Sequence, residues 1–166
     1  ADTVSVLAGG EVRAGGGQGG GSIALTGAAG VRVDDAGSVQ APGAAGGMVD
    51  IIAGAGDVAV QGVVMADGVE AGGRIRIMAQ TDINLDPVSR VIASGASGGE
   101  VRIEARQGTL LAAGLVDSRG SDGPGGRVLL LAPRVGLIRN AEVNVSGRTG
   151  GGTVLDRKST RLNSSH

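Results

Sequence analysis

Val91-Ile-Ala-Ser-Gly-Ala-Ser-Gly-Gly-Glu-Val-Arg-Ile103 holds two short strand patterns joined by a glycine-rich turn. Val91 and Ala93 flank Ile92, and Val101 and Ile103 flank Arg102. Alternation with period two marks a strand with one buried face. The pair Gly98-Gly99 stands just before the second strand, and it is one of a series. Paired glycines occur at Gly20-Gly21, Gly46-Gly47, Gly72-Gly73, Gly98-Gly99, Gly125-Gly126 and Gly151-Gly152, spaced by 26, 26, 26, 27 and 26 residues. A fixed period of this length is the signature of a stacked repeat architecture.

Each pair is followed by an alternating aliphatic segment: Ile23/Leu25, Val49/Ile51, Ile75/Ile77, Val101/Ile103, Val128/Leu130, then Val154. A second set follows at Val31/Val33, Val58/Val60, Ile83/Leu85, Leu110/Ala112 and Val135/Leu137. A third precedes the next pair, at Val39/Ala41, Val64/Ala66, Val91/Ala93, Val116/Ser118 and Val143/Val145, and runs into Gly43, Gly68, Gly95, Gly120 and Gly147. The expectation is three strands of four or five residues per period, with turns of Gly, Ala, Asp and Ser between them. No period leaves room for the helix of about 10–12 residues found in helical repeats. Equivalent strands recurring at one fixed interval can stack in register, giving an all-β parallel β-helix of about six coils. At roughly 4.8 Å per coil the stack is on the order of 25–30 Å long.

Composition agrees with a narrow, regular interior. The 166 residues include 34 Gly and no Phe, Tyr, Trp or Cys, while aliphatic content keeps the hydrophobic fraction at 41%. Disorder is disfavoured by that fraction and by a charged content of only 19%. The glycines do not fall at every third position, so collagen is excluded. A formal net charge of −1 offers no basic footprint for nucleic acid. There is no run of about 18 apolar residues to span a membrane. Without cysteine there is no disulfide framework and no CxxC metal or redox motif.

The glycine pairs are expected at turns that need a tight backbone, often with positive φ. The alternation also places charges side by side on the outer face. Arg74, Glu100 and Arg127 fall in one column, and Asp50 sits beside Arg76. Arg76 next to Arg102 is the one unfavourable neighbour, with Glu104 at hand to relieve it. Opposite charges so placed contribute roughly 0.2–1 kcal/mol each.

Residues 156–166, Asp-Arg-Lys-Ser-Thr-Arg-Leu-Asn-Ser-Ser-His, break with this pattern. They contain the only Lys of the chain, Lys158, and its only His, His166. They also coincide with the translation of a common sequencing-adapter sequence, so they are expected to be a non-native, disordered tail. The repeat segment is then residues 1–155, a fragment without natural caps.

The stretch at Val91–Ile103, together with Val143-Asn-Val-Ser-Gly-Arg-Thr-Gly-Gly-Gly-Thr-Val-Leu155, resembles the repeat region of filamentous-haemagglutinin-like exoproteins. Gram-negative bacteria export these by two-partner secretion. Ser146 to Leu155 is similar to a Ser-Gly-x-x-Gly-Gly-Gly-Thr-Val-Leu stretch common among them. The resemblance implies a right-handed parallel β-helix, a secreted or cell-surface location, and a role in adhesion or as a rigid stalk. It also implies an outer-membrane secretion transporter and a surface receptor as partners, besides flanking coils of the same polypeptide.

Without Cys, and with no His before the tail, thiol nucleophiles, His-based triads and most zinc or iron sites are absent from the repeat. The carboxylate candidates are Asp34-Asp35, Asp82/Asp86 and Asp117/Asp122, all near predicted turns. Glycoside hydrolysis needs two carboxyls roughly 5–10 Å apart in a cleft, and the aromatic platforms usual in such clefts are missing. Asp34-Asp35 and Asp117…Asp122 could ligate calcium, but the Gly-Gly-x-Gly-x-Asp nonapeptide is not present. Gly15-x-Gly17-x-x-Gly20 matches a dinucleotide fingerprint by letter only, because a strand rather than a helix follows it. Asn144-Val-Ser146 and Asn163-Ser-Ser165 match glycosylation-type sequons, which are short enough to arise by chance. No residue is therefore assigned as catalytic, cofactor-binding or metal-ligating. The expected function is a non-enzymatic shaft segment. The alternatives are non-catalytic coils of a carbohydrate-active β-helix enzyme, or a calcium-dependent binding module.

Overall fold

The computed structural model describes residues 3–158, and among them the chain forms eighteen strands and no helix. The first coil holds β1 (Thr3–Val6), β2 (Glu11–Arg13) and β3 (Ser22–Gly27), and the second β4 (Gly30–Val33), β5 (Ser38–Gln40) and β6 (Met48–Ala53). The third holds β7 (Asp57–Val60), β8 (Val63–Met65) and β9 (Arg74–Ala79), and the fourth β10 (Ile83–Leu85), β11 (Arg90–Ile92) and β12 (Glu100–Ala105). The fifth holds β13 (Thr109–Ala112), β14 (Leu115–Asp117) and β15 (Arg127–Ala132), and the sixth β16 (Arg134–Leu137), β17 (Glu142–Asn144) and β18 (Thr153–Lys158). Each strand pairs in parallel with its equivalent one coil on, which makes three six-stranded sheets. The first begins with β1, the second with β2 and the third with β3. The architecture is a parallel β-helix of six coils, as the repeat predicts. Its first coil adds β1 and β2, upstream of the first aliphatic segment read from the sequence.

The core is a set of stacked aliphatic columns. In the third sheet Leu25, Ile51, Ile77, Ile103 and Leu130 stand in register, and all but the first are buried. Two residues on, Ala53, Ala79, Ala105 and Ala132 form a buried column of small side chains. Val39, Val64, Val91 and Val116 do the same in the second sheet, followed by Ala41, Ala66, Ala93 and Ser118. Small residues stand where sheets meet and the interior narrows, which is why no aromatic is needed. Ser118 breaks the alanine column, and its hydroxyl is satisfied by donating to the carbonyl of Gly99 at 2.6 Å.

Strand lengths differ from the expected four or five residues. Third-sheet strands have six residues and second-sheet strands only three. The second sheet is cut short by a turn repeated in every coil. The second glycine of each pair donates its N–H back to the carbonyl closing the second-sheet strand. Examples are Gly47 to Ala41 at 2.8 Å, Gly73 to Ala66 at 2.7 Å and Gly99 to Ala93 at 2.8 Å. Glycine is required here by close approach, and positive φ is found at Gly46 alone among the paired glycines described. A Cβ added at Gly46, Gly72 or Gly98 would lie under 3.0 Å from the backbone of the next coil's pair. At Gly47, Gly73 and Gly99 it would strike the preceding coil's carbonyl just as hard. The expected left-handed turn is thus corrected to an axial stack of backbones.

The fixed interval also needs correction. It holds through most of the third sheet, where Val49 pairs with Ile75 and Ile75 with Val101, with one longer step from Val101 to Val128. In the first sheet the interval alternates: Val31 pairs with Val58, Val58 with Ile83, and Ile83 with Leu110. The turns absorb the difference. Asp34–Gly37 and Asp86–Ser89 are four-residue turns closed by Gly37 N–H to Asp34 O and Ser89 N–H to Asp86 O, both at 2.9 Å. Gln61-Gly62 and Ala113-Gly114 make the same corner with two residues.

In the longer turns Ala36 has φ 58°, where the first coil has Gly9 at φ 75°. An L-residue in that region costs about 1–2 kcal/mol, against roughly 0.5–1 kcal/mol for the greater unfolded-state entropy of glycine. Ala36→Gly is expected to leave the urea midpoint unchanged or raise it slightly. A clear drop would show that the alanine methyl is needed in the turn.

At the other end, β18 runs through Lys158 and pairs Asp156, Arg157 and Lys158 with Leu130, Leu131 and Ala132. The change of composition after Leu155 therefore does not end the strand, because ladder bonds are made by backbone. It does interrupt the core pattern, since exposed Asp156 stands in the column that Ile103 and Leu130 fill above it. Residues 159–166 of the expected tail lie outside the described residues.

Candidate functional surface

The outward positions carry the charge pattern that strand alternation predicts. Arg76 reaches Asp50 of the preceding coil with both Nε and one terminal nitrogen, each 3.0 Å from a carboxylate oxygen. Arg102, its like-charged neighbour, turns instead to Glu104 on its own strand at 2.7 Å. Arg74 and Glu100 approach to 3.7 Å. These pairs are partly exposed, so each contributes no more than about 1 kcal/mol.

The carboxylate candidates do not assemble into pairs facing a common substrate position. Asp34 is half-buried and bonded to Arg32, whereas its neighbour Asp35 is exposed in the turn. Asp82 and Asp86 flank opposite ends of β10. Asp82 Oδ1 accepts the N–H of Thr109, one coil on, at 2.6 Å, and Asp57 accepts the N–H of Asp82 at 3.2 Å. The two form an axial ladder of carboxylates capping backbone amides. Asp117 is buried beneath Arg119, whose N–H it accepts at 3.0 Å and whose Nε lies 3.4 Å away. Asp122 is exposed and pairs with Arg148 of the next coil at 3.4 Å. No group of three or more His, Cys, Asp or Glu able to hold a metal occurs among the described residues. The glycine run Gly15–Gly20 leads into strand β3 and not into a helix.

One group was missed in the sequence. Asp67 lies just beyond β8, and its carboxylate accepts both the N–H and the hydroxyl of Ser94 at 3.1 Å. Burial pushes its pKa above the ordinary carboxylate value, with Asp117 adding to the rise and the Ser94 bonds and Arg119 opposing it. Asp67, Ser94 and Arg119 follow one another along the axis and line a shallow hollow of about 250 Å³. Only aligning the coils one residue beyond the inward small residues (Ala66, Ala93, Ser118) would have brought these three together.

In the window between the ordinary value and the raised one, the folded chain holds a proton that the unfolded chain lacks. The contribution of Asp67 to stability therefore falls as pH rises through that window. Asp67→Asn keeps an acceptor for Ser94 and removes the charge. It is expected to be at least as stable as the parent at neutral pH, with the advantage vanishing in acid. Urea unfolding over a pH series reads this directly; a variant weaker at neutral pH would mean that the ionised carboxylate is net stabilised.

A second buried polar group, Ser89, has a structural role only. The hydroxyl of buried Ser89 has no hydrogen-bond partner among the described residues, in a column where neighbouring coils carry Gly62 and Gly114. Ser89→Ala is expected to keep or raise the thermal midpoint, by up to about 1 kcal/mol of stability. A loss of that size would reveal a partner for the hydroxyl.

A groove of about 830 Å³ runs along the corner between the second and third sheets. Its floor is the backbone of the six glycine pairs, and Met48, Arg74, Glu100 and Arg127 stand along its edge.

These features define a parallel β-helical repeat protein in which some outward polar groups join coil to coil and others pair within a coil. Among the described residues no helix is long and apolar enough to cross a membrane. No protein-family model matches the chain, and comparison with curated proteins and with solved structures finds no significant match.

Proposed function

We propose that this chain is a shaft segment of a filamentous-haemagglutinin-like exoprotein, carried on or released from a Gram-negative cell surface, with no catalysis of its own. The supporting observation is that the inter-coil contacts of side chains repeat the axial stacking of the backbone. Asp50–Arg76, Asp67–Ser94, Asp82–Thr109 and Asp122–Arg148 each join a coil to the next. A solenoid so joined transmits load along its axis and holds whatever it carries at a set distance. Its partners would be further coils of the polypeptide, an outer-membrane transporter and a receptor met by the carried tip.

The test places the chain between two folded markers and measures their separation by electron microscopy. A shaft gives one narrow separation, lengthened by roughly 4.8 Å for every coil inserted by duplication. A broad separation that ignores added coils would sink the reading. Export is tested separately, by labelling intact cells that co-express the parent protein with its transporter.

A further inference from the structure

We propose that Asn144 is an acceptor for N-linked sugar, a modification site set at the outer face of the second sheet. Asn144 ends β17, in the column of Met65, Ile92 and Asp117, which faces away from the aliphatic core. Its side-chain carbonyl accepts two bonds from Ser146: the N–H at 3.0 Å and the hydroxyl at 2.8 Å. The sequon is therefore already folded into a compact turn, with the hydroxyl polarising the amide. Both interactions use Oδ1, and the carboxamide nitrogen makes no hydrogen bond among the described residues. Ser146 is exposed and Asn144 half-buried, so a sugar on Nδ2 projects outward and displaces no core residue.

A second feature concerns the residue two before the asparagine. Glu142 is exposed at the start of β17, and a two-residue step along a strand keeps side chains on one face. Glu142 and Asn144 thus stand on the same face, with Ser146 folded back onto Asn144. The stretch has the acidic form Glu-x-Asn-x-Ser, suited to a transferase with a cationic subsite beside its asparagine pocket. Asn163, the other sequon asparagine, has Arg161 at that position. In the transfer, Nδ2 of Asn144 forms a bond to the anomeric carbon of an activated sugar. The bond from that carbon to the donor's diphosphate oxygen breaks, and the amide proton is lost to base. The donor is a sugar diphosphate, carried either by a lipid or by a nucleoside. Nothing in this assignment requires the chain to be a shaft.

The full chain is incubated, folded, in two arms. One supplies an oligosaccharyltransferase that requires an acidic residue two before the asparagine, with a lipid-pyrophosphate oligosaccharide. The other supplies a soluble N-glycosyltransferase with UDP-glucose. Intact mass and peptide mapping read the products, and a flexible peptide carrying Glu142–Ser146 serves as the positive control. Sugar is expected on Asn144 in at least one arm, lost in Asn144→Gln and Ser146→Ala and kept in Ser146→Thr. Loss in Glu142→Gln confined to the first arm assigns the lipid-borne donor, and modification in the second arm alone assigns the nucleotide sugar. If the peptide is modified and Asn144 of the folded chain is not in either arm, the proposal is overturned. It fails equally if Ser146→Ala is modified as well as the parent.

Discussion

Gly99→Ala is expected to lose about 3 kcal/mol of stability or more, enough to leave much of the chain unfolded, although it adds a single methyl group. A Cβ at Gly99 would lie 2.7 Å from the carbonyl carbon of Gly72, 2.8 Å from the carbonyl oxygen of Ala93, and closer still to the carbonyl oxygen of Gly73. All three atoms are backbone, so no side chain can swing aside. The same residue donates its N–H to Ala93 and accepts the Ser118 hydroxyl through its carbonyl. Relieving the clash by moving the backbone therefore breaks the turn that feeds the third sheet. Gly54→Ala is the matched control. Its added Cβ would meet Ala28 no closer than 3.5 Å, ordinary van der Waals contact, and its φ is not in the left-handed region. That variant should gain a few tenths of a kcal/mol or stay level, through reduced unfolded-state entropy. Urea midpoints and far-ultraviolet circular dichroism of the two separate the accounts. Equal losses would mean that glycine matters at these positions for flexibility and not for close approach.

That contrast also marks what could be read from the chain and what could not. The positions of Gly98-Gly99 and its equivalents stand in plain view, because a spacing is a property of order alone. The reason for them does not, because the nearest atoms that exclude a Cβ belong to residues about a period away in sequence. The charge columns were legible: Asp50 beside Arg76 needs only strand alternation and a period, and the Arg102–Glu104 pairing follows from a like-charged neighbour. The alternating intervals of the first sheet were present as letters at Val58, Ile83 and Leu110. They were hidden by the steadier period of the glycines, since a two-residue and a four-residue turn can close the same corner. Asp67 was least legible of all. A single aspartate after Met65-Ala66 looks like any solvated turn residue until stacking brings Ser94 over it and buries its carboxylate.

Ile103→Ala is expected to cost about 2–5 kcal/mol, with the damage confined at first to the coils on either side. Ile103 is fully buried between Ile77 and Leu130 in a column of large aliphatic side chains. Its neighbours are held by continuous ladders of backbone bonds, so the vacated space cannot close by a local shift of one strand. Leu25→Ala, in the same column at the edge coil, is the comparison. Leu25 is only half-buried, so less apolar area is lost and the cavity opens to solvent; its cost should be well below that of Ile103→Ala. Hydrogen exchange distinguishes local from global damage. In Ile103→Ala, amides of β9, β12 and β15 should lose protection before those of β3 and β4, because each coil is stabilised by its two neighbours. Uniform loss across all coils would show that the six behave as one cooperative unit. Stability would then not be a sum of coil and interface terms, and inserting or removing a coil would not leave the others unchanged. The shaft reading leans on the additive result, since a rod lengthened by repetition must tolerate a local defect without coming apart along its whole length.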